Sequence, residues 1–166
     1  MKWLWRSLAI IALLAGGIWL WLVTHPSPEK IIRGQLRLLA GQVSFNPPES
    51  DLARLGKIAG LTRFFTPEVE VKLAFRDLAE RGNITHEFIQ AAGATLRENF
   101  SSGLKIEFLD VNITLAPGKD YATAELTMKA TTPGDNQFNV QEMKFAVRKV
   151  NDQWLIYRVE TVRTLK

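Results

Sequence analysis

Residues 144–162 read KFAVRKVNDQWLIYRVETV. Two apolar runs, Phe145–Val147 and Trp154–Val159, are separated by a polar stretch centred on Asn151 and Asp152. Aromatic and β-branched runs joined by Asn and Asp read as two antiparallel strands and a tight turn. In the second run Trp154 and Ile156 share one face, and Leu155, Tyr157 and Val159 share the other. A strand apolar on both faces needs a cover on its outer side as well. Leu155, Tyr157 and Val159 are therefore the expected face for a second copy or another envelope protein.

Upstream the pattern continues as strands. In LKIEFLDVNITL, residues 104–115, the apolar positions are even at Leu104, Ile106 and Phe108 and then odd at Leu109, Val111, Ile113 and Leu115. A change of parity predicts a bulge or bend near Asp110, where a bulge can aim a carboxylate into a site. PGKD at 117–120 turns into YATAELTMKA, where Ala122, Ala124, Leu126 and Met128 hold even parity. TTPGDN turns again, and Phe138 and Val140 give way to Met143, Phe145 and Val147, a second predicted switch.

The N-terminal half reads mostly as helix. Ser27-Pro28 offers an N-cap and an N1 proline, with Ile32, Leu36, Leu39 and Val43 on one stripe of a helix running to about Phe45. After NPPES, Ser50 caps a second helix with the stripe Leu52, Leu55, Ala59, Thr62 and Phe65. EVEVKLAF, residues 68–75, alternates as a half-buried strand. RGN reads as a turn, and Thr85 caps a third helix with the stripe Phe88, Ala92, Leu96 and Phe100. Gly93 on that helix permits a close approach. The fold class is α+β: three helices packed in a curved, mostly antiparallel sheet shaped like a cone.

Ahead of this domain, Ser7–Val23 is a run of 17 residues without charge. As a helix it is about 26 Å long, the short end of a bilayer span. Trp3, Trp5, Trp19 and Trp21 stand at its ends, where indoles favour the headgroup level, and no small-residue cleavage site follows. Residues 1–25 are thus expected to be a cytoplasmic stub and retained anchor with its core at 7–23. Residues 26–29 form a linker and 30–166 the domain. Lys2 and Arg6 before the span place the N-terminus in the cytoplasm. The expected location is a bacterial inner membrane, crossed once, with the C-terminal domain in the periplasm.

The element order, together with the basic strand, polar turn and Trp154 of KFAVRKVNDQWLIYRVETV, resembles the nuclear transport factor 2-like superfamily, the SnoaL and ketosteroid isomerase-like cone fold. The resemblance spans roughly Pro28 to Thr164. It implies a cone that in some members carries isomerase or dehydratase chemistry. Ketosteroid isomerase-like members use a Tyr and acidic residues, and dehydratase-like members use His and Asp. Here Tyr121 and Tyr157 fall on late strands, and His86, in the first turn of the third helix, reads as solvated. In layout, one span and an exported cone, the chain is similar to the bitopic scaffold subunit of type IV secretion systems.

Composition narrows the function. Without Lys2 and Arg6 the chain has 19 basic against 17 acidic residues, interspersed, which argues against nucleic acid as a partner. The absence of Cys excludes thiol nucleophiles, and two separated His make a metal site improbable. His86 and Glu87 are helix neighbours pointing apart, unable to act as a pair. No catalytic set, metal or cofactor is expected. Phe64, Phe65, Phe75, Phe88, Phe100, Phe108 and Phe145 either fill the core or line a cavity, with Asp110 the acid to watch; Phe64, Phe75, Phe108, Asp110 and Phe145 are the candidate lining. The leading expectation is a membrane-anchored interaction domain without catalysis. The alternative is a small-molecule binder or isomerase-type enzyme working in the cone.

Overall fold

The computed structural model describes residues 26–75, 78–134 and 138–162. Among them no helix is long and apolar enough to cross a membrane. The expected span at 7–23, with Trp3, Trp5, Trp19 and Trp21, lies outside the described residues.

Helix α1 spans Pro28–Val43, with the Ser27 side chain accepting from the Lys30 amide as N-cap. Ile32, Leu36, Leu39 and Ala40 are buried at helical spacing, and each large one contributes about 1.5–3 kcal/mol by leaving water. The helix stops two residues short of the expected end. Ser44 is extended, and Phe45 instead exchanges two backbone hydrogen bonds with Leu104, of 2.8 and 2.9 Å.

Helix α2, Asp51–Leu61, starts at the predicted Ser50 cap. Its stripe differs from expectation: Leu52 and Leu55 are exposed, and Phe65 belongs to the next strand. The helix rests on its C-terminal end, where Leu61 is buried, so its first two turns bury little.

A short 3₁₀ turn, Thr62–Phe64, leads into β1, Phe65–Phe75. β1 starts three residues before the alternating pattern. The register shift between Phe65 and Glu70 takes up Pro67, which has no amide to give a ladder. RGN is not a turn; it lies inside strand β2, Leu78–Thr85, which pairs back on β1 from Phe75↔Leu78 to Glu68↔Thr85. As an edge strand, β2 needs only backbone pairing to one neighbour, and its sequence carries no alternation.

Helix α3, His86–Asn99, also departs from expectation: Thr85 stands at its N-cap position in extended conformation, but its side chain makes no capping hydrogen bond. Ile89, Gly93 and Arg97 are buried, while Phe88 and Phe100 are exposed, so the inner stripe is rotated by one residue. A Cβ on Gly93 would stand 2.8 Å from Leu61 Cδ1, the close approach anticipated for this position.

The remaining strands are β3 (Lys105–Leu115), β4 (Tyr121–Thr131), β5 (Phe138–Val150) and β6 (Gln153–Thr161). The six-stranded sheet runs β2-β1-β6-β5-β4-β3, antiparallel except where β1 meets β6. The predicted bulge in β3 is present: pairing with β4 slips between Leu109 and Asn112, and Asp110 has φ 51°. Leu109 itself stays on the outer face and is 41 % exposed. The predicted switch in β5 is not a bulge, because its ladder with β4 is unbroken from Tyr121↔Arg148 to Thr131↔Phe138. Phe138 and Val140 simply stand on the outer face, exposed.

The β5–β6 turn has the expected tight form. Val150 pairs with Gln153, and Asn151 and Asp152 both take positive φ, 48° and 63°, as a two-residue type I′ turn requires. A register shift at Ala146/Val147 then reverses facing along β6. Val159 consequently packs against the core with Phe145, and the outward apolar residues are Leu155 and Tyr157 without it.

Candidate functional site

The concave side of the sheet is packed around α1, with a groove of about 310 Å³ left between α1 and β3 beside Arg33, Leu36, Arg37, Glu107 and Phe108. Ile32, Leu36 and Leu39 from α1 meet Phe64, Val69, Leu126, Phe145, Val147, Trp154 and Ile156 in one core. The void left between Ile32, Gln35, Leu36, Phe64, Val147 and Ile156 is about 10 Å³, the size of a single water site at most. Gln35 is its one polar neighbour.

Each candidate lining residue now has a place. Phe64 and Phe145 are buried in the core, and Phe108 meets Phe145 edge-on with ring centroids 5.7 Å apart. Phe75 lies at the hairpin end of β1, opposite Leu78. Asp110 is exposed at the β3 bulge and faces an outer groove of about 350 Å³ with Asn112, Glu125 and Glu142. The structure therefore joins Phe64, Phe108 and Phe145 in or against one core and separates Asp110 from them. His86 differs from its solvated reading: it is half-buried, with Nε2 3.3 Å from the Phe65 carbonyl oxygen. Among the described residues no group of three or more His, Asp or Glu is gathered as a metal site.

The outer face of the sheet is built from charge and aromatic rings. Arg158 on β6 donates to Glu70 on β1 at 2.6 Å, and Lys72 bridges Glu70 and Glu160 at 3.3 and 2.9 Å. Desolvation works against Glu70, but hydrogen bonds from Arg158 and Lys72 outweigh it and hold its carboxyl below the ordinary value. Toward the β5–β6 turn, Tyr121 and Tyr157 meet edge-to-face at 6.2 Å, with the Arg148 and Arg158 guanidiniums 5.9 and 5.7 Å from the Tyr157 ring centre. Leu155 and Tyr157, expected as a partner face, belong to this surface.

Sequence reasoning missed a second charged constellation, at the corner between α1 and α2. The Arg97 side chain is 3 % exposed. It donates to the carbonyls of Gly93 and Gln42, both at 3.2 Å, and stacks over Phe45 at 4.9 Å. Its Nε makes no hydrogen bond and lies 3.6 Å from Glu49 Oε2. The other oxygen of Glu49 pairs with Lys57 Nζ at 2.7 Å, and Lys57 also donates to the Ser44 carbonyl at 3.2 Å. Arg97 would have been visible as the fourth-residue successor of Gly93 had the α3 stripe been traced from Ile89. Beside this cluster lies a groove of about 780 Å³ reaching from α1 to the start of β3 and the end of β4.

The architecture has relatives among solved structures. An NTF2-like protein of unknown function from Pseudomonas putida KT2440 superposes with a TM-score of 0.62 at 14% identity, covering 86% of this chain and 92% of that one. An NTF2-like protein with a cystatin-like fold from Novosphingobium aromaticivorans gives 0.61 at 16% identity, over 89% and 86% of the two chains. The chain has the nuclear transport factor 2-like fold. A proposed scytalone dehydratase from Novosphingobium aromaticivorans shares this fold at a TM-score of 0.55 and 13% identity, over 82% and 84%. No family model and no curated protein matches the chain. At these identities the nuclear transport factor 2-like cone is a statement of fold, and the fold hosts many functions.

Proposed function

We propose that this chain is a non-catalytic interaction domain, tethered to a bacterial inner membrane by residues 7–23, that docks a protein partner on the outer face of its sheet. The observation that carries the reading is the apolar packing at the centre of the cone. A fold that hosts catalysis in an internal cavity leaves here, among the described residues, only about 10 Å³ where Ile32, Leu36, Phe64, Val147 and Ile156 meet, and the groove of about 310 Å³ between α1 and β3 lies along the edge strand of the sheet. The outer face supports the second half: rigid Tyr rings and Arg side chains are the residue types that anchor interfaces, and Tyr121, Tyr157, Arg148 and Arg158 are grouped there. The partner is a second copy of the chain or another envelope protein.

The neighbour named as a proposed scytalone dehydratase favours a catalytic reading by fold alone. That reading requires a polar, open cone, and the apolar packing around Gln35 opposes it.

A photo-crosslinking residue at Tyr157 of the full chain, in intact membranes, tests the docking surface. A discrete cross-linked product is expected from position 157 and none from Gly56, whose surroundings are open. Equal labelling at both positions, or none at 157, would sink the proposal.

A further inference from the structure

The groove at the α1–α2 corner lies away from the outer sheet face and has its own chemistry. Its apolar part is Phe45, Pro47, Leu104 and Pro133. Its polar part includes Lys57 and Lys105, with the hydroxyls of Ser44, Ser102 and Thr131. At about 780 Å³ it falls within the range of small-molecule sites. Both lysines already have carboxylate partners, Glu49 at 2.7 Å and Glu107 at 2.9 Å, so an incoming anion must compete for them.

The competition is uneven because Glu49 serves two cations. One oxygen holds Lys57 while the other stands 3.6 Å from Arg97 Nε, too far for a hydrogen bond. Arg97 is anchored by its other two nitrogens to the Gly93 and Gln42 carbonyls and cannot follow Glu49 outward. If an anion takes Lys57, Glu49 is free to close on Arg97 Nε and satisfy the buried donor that now makes no hydrogen bond. Losing one ion pair is then offset by gaining a charge-assisted hydrogen bond at a buried site.

We propose that this groove binds a small organic anion, a carboxylate on a flat apolar body, with Lys57 as the receiving cation and Glu49 passing from Lys57 to Arg97 on binding. The carboxylate meets Lys57, the Ser44 hydroxyl being committed to the Ala40 carbonyl and the Ile106 amide, and the apolar body lies along Phe45 and Leu104. Lys105 adds long-range attraction from the far wall.

Titration of the full chain with 2-naphthoate, followed by calorimetry and by NMR of Arg97 Nε–H, tests the proposal. Saturable binding is expected, with the Nε–H resonance moving downfield as Glu49 engages it. The neutral 2-naphthamide and inorganic phosphate should each bind about tenfold more weakly. Lys57→Met should weaken naphthoate about tenfold, and Lys57→Arg should retain it. Gly41→Leu fills the groove from α1 at a position where a Cβ meets nothing within 4 Å, so it should abolish binding while leaving the melting temperature unchanged or raised. The proposal is overturned by absence of saturable binding, by naphthamide binding as tightly as naphthoate, by phosphate doing so, or by a Gly41→Leu chain that binds like the parent. None of these outcomes bears on the sheet-face reading, which the Tyr157 cross-link decides separately.

Discussion

Arg97 shows how a single residue can hold a corner of this fold. Its guanidinium closes α3 against the end of α1 by one carbonyl bond, to Gln42, and a ring contact with Phe45, while a second bond to Gly93 stays within α3 and Glu49 serves as counter-ion. Replacing it with Leu keeps most of the volume but leaves those carbonyls short of a partner. Arg97→Leu should therefore lower stability by about 2–3 kcal/mol in urea unfolding; an unchanged midpoint would show that water replaces the bonds freely. Gly103 is the other strict position. Its φ is +102°, and a Cβ there would stand 2.9 Å from the Phe45 carbonyl oxygen and 3.0 Å from Pro47 Cδ, so Gly103→Ala is expected to cost about 1–3 kcal/mol. Glu70 predicts a pH response. Its carboxyl sits below its ordinary 4.5 in the folded chain, so its contribution is full above that value and is lost as pH falls through the folded pKa. Glu70→Gln should flatten the acid limb of the stability curve below about pH 4.5, and equal limbs in both proteins would show that the Arg158 and Lys72 contacts are screened away.

At the scale of elements, helix ends and tight turns were legible where a local rule specifies them. Ser27-Pro28, Ser50 and Asn151-Asp152 act within three residues of themselves, and each does what its chemistry dictates. Which side of a helix faces inward is a different matter. Phe88, Ala92, Leu96 and Phe100 make a plausible stripe on α3, yet Ile89, Gly93 and Arg97 are inside, because the buried choice depends on what α2 offers. Leu61 needs the bare backbone of Gly93 as its seat, and that contact decides the rotation. Gly93→Val should drive the helices apart and cost about 1–3 kcal/mol in thermal unfolding, whereas an unaltered melting temperature would mean that Leu61 turns aside. β2 was hidden because an edge strand is selected by one neighbour's backbone and carries no pattern of its own.

At the scale of the molecule, the two faces of the sheet differ: the inner one packs against α1, and the outer one carries the Arg158, Glu70 and Lys72 charges beside Tyr121 and Tyr157. If Leu155 and Tyr157 form the partner surface, changing both to Asp should shift the detergent-extracted full chain to a smaller species in size-exclusion chromatography without loss of its β signal. An unchanged elution would count against a second copy as the occupant. A reporter that works only outside the cytoplasm, joined after Lys166, should be active if the N-terminus is cytoplasmic; silence would reverse the orientation.

What the sequence determined by itself was the alternation, the parity change at Asp110 and the order of helix and strand apart from β2, because these depend on neighbours along the chain. From that order came the cone and its resemblance to the nuclear transport factor 2-like fold. The packing at the centre of the cone was decided only by tertiary structure, since the same Phe and Leu residues could line a cavity or close it. The facing of Val159 likewise depends on where β5 slips against β6. The cluster of Arg97, Glu49 and Lys57 joins residues 48 positions apart, and only the packing of three helices brings their charges together.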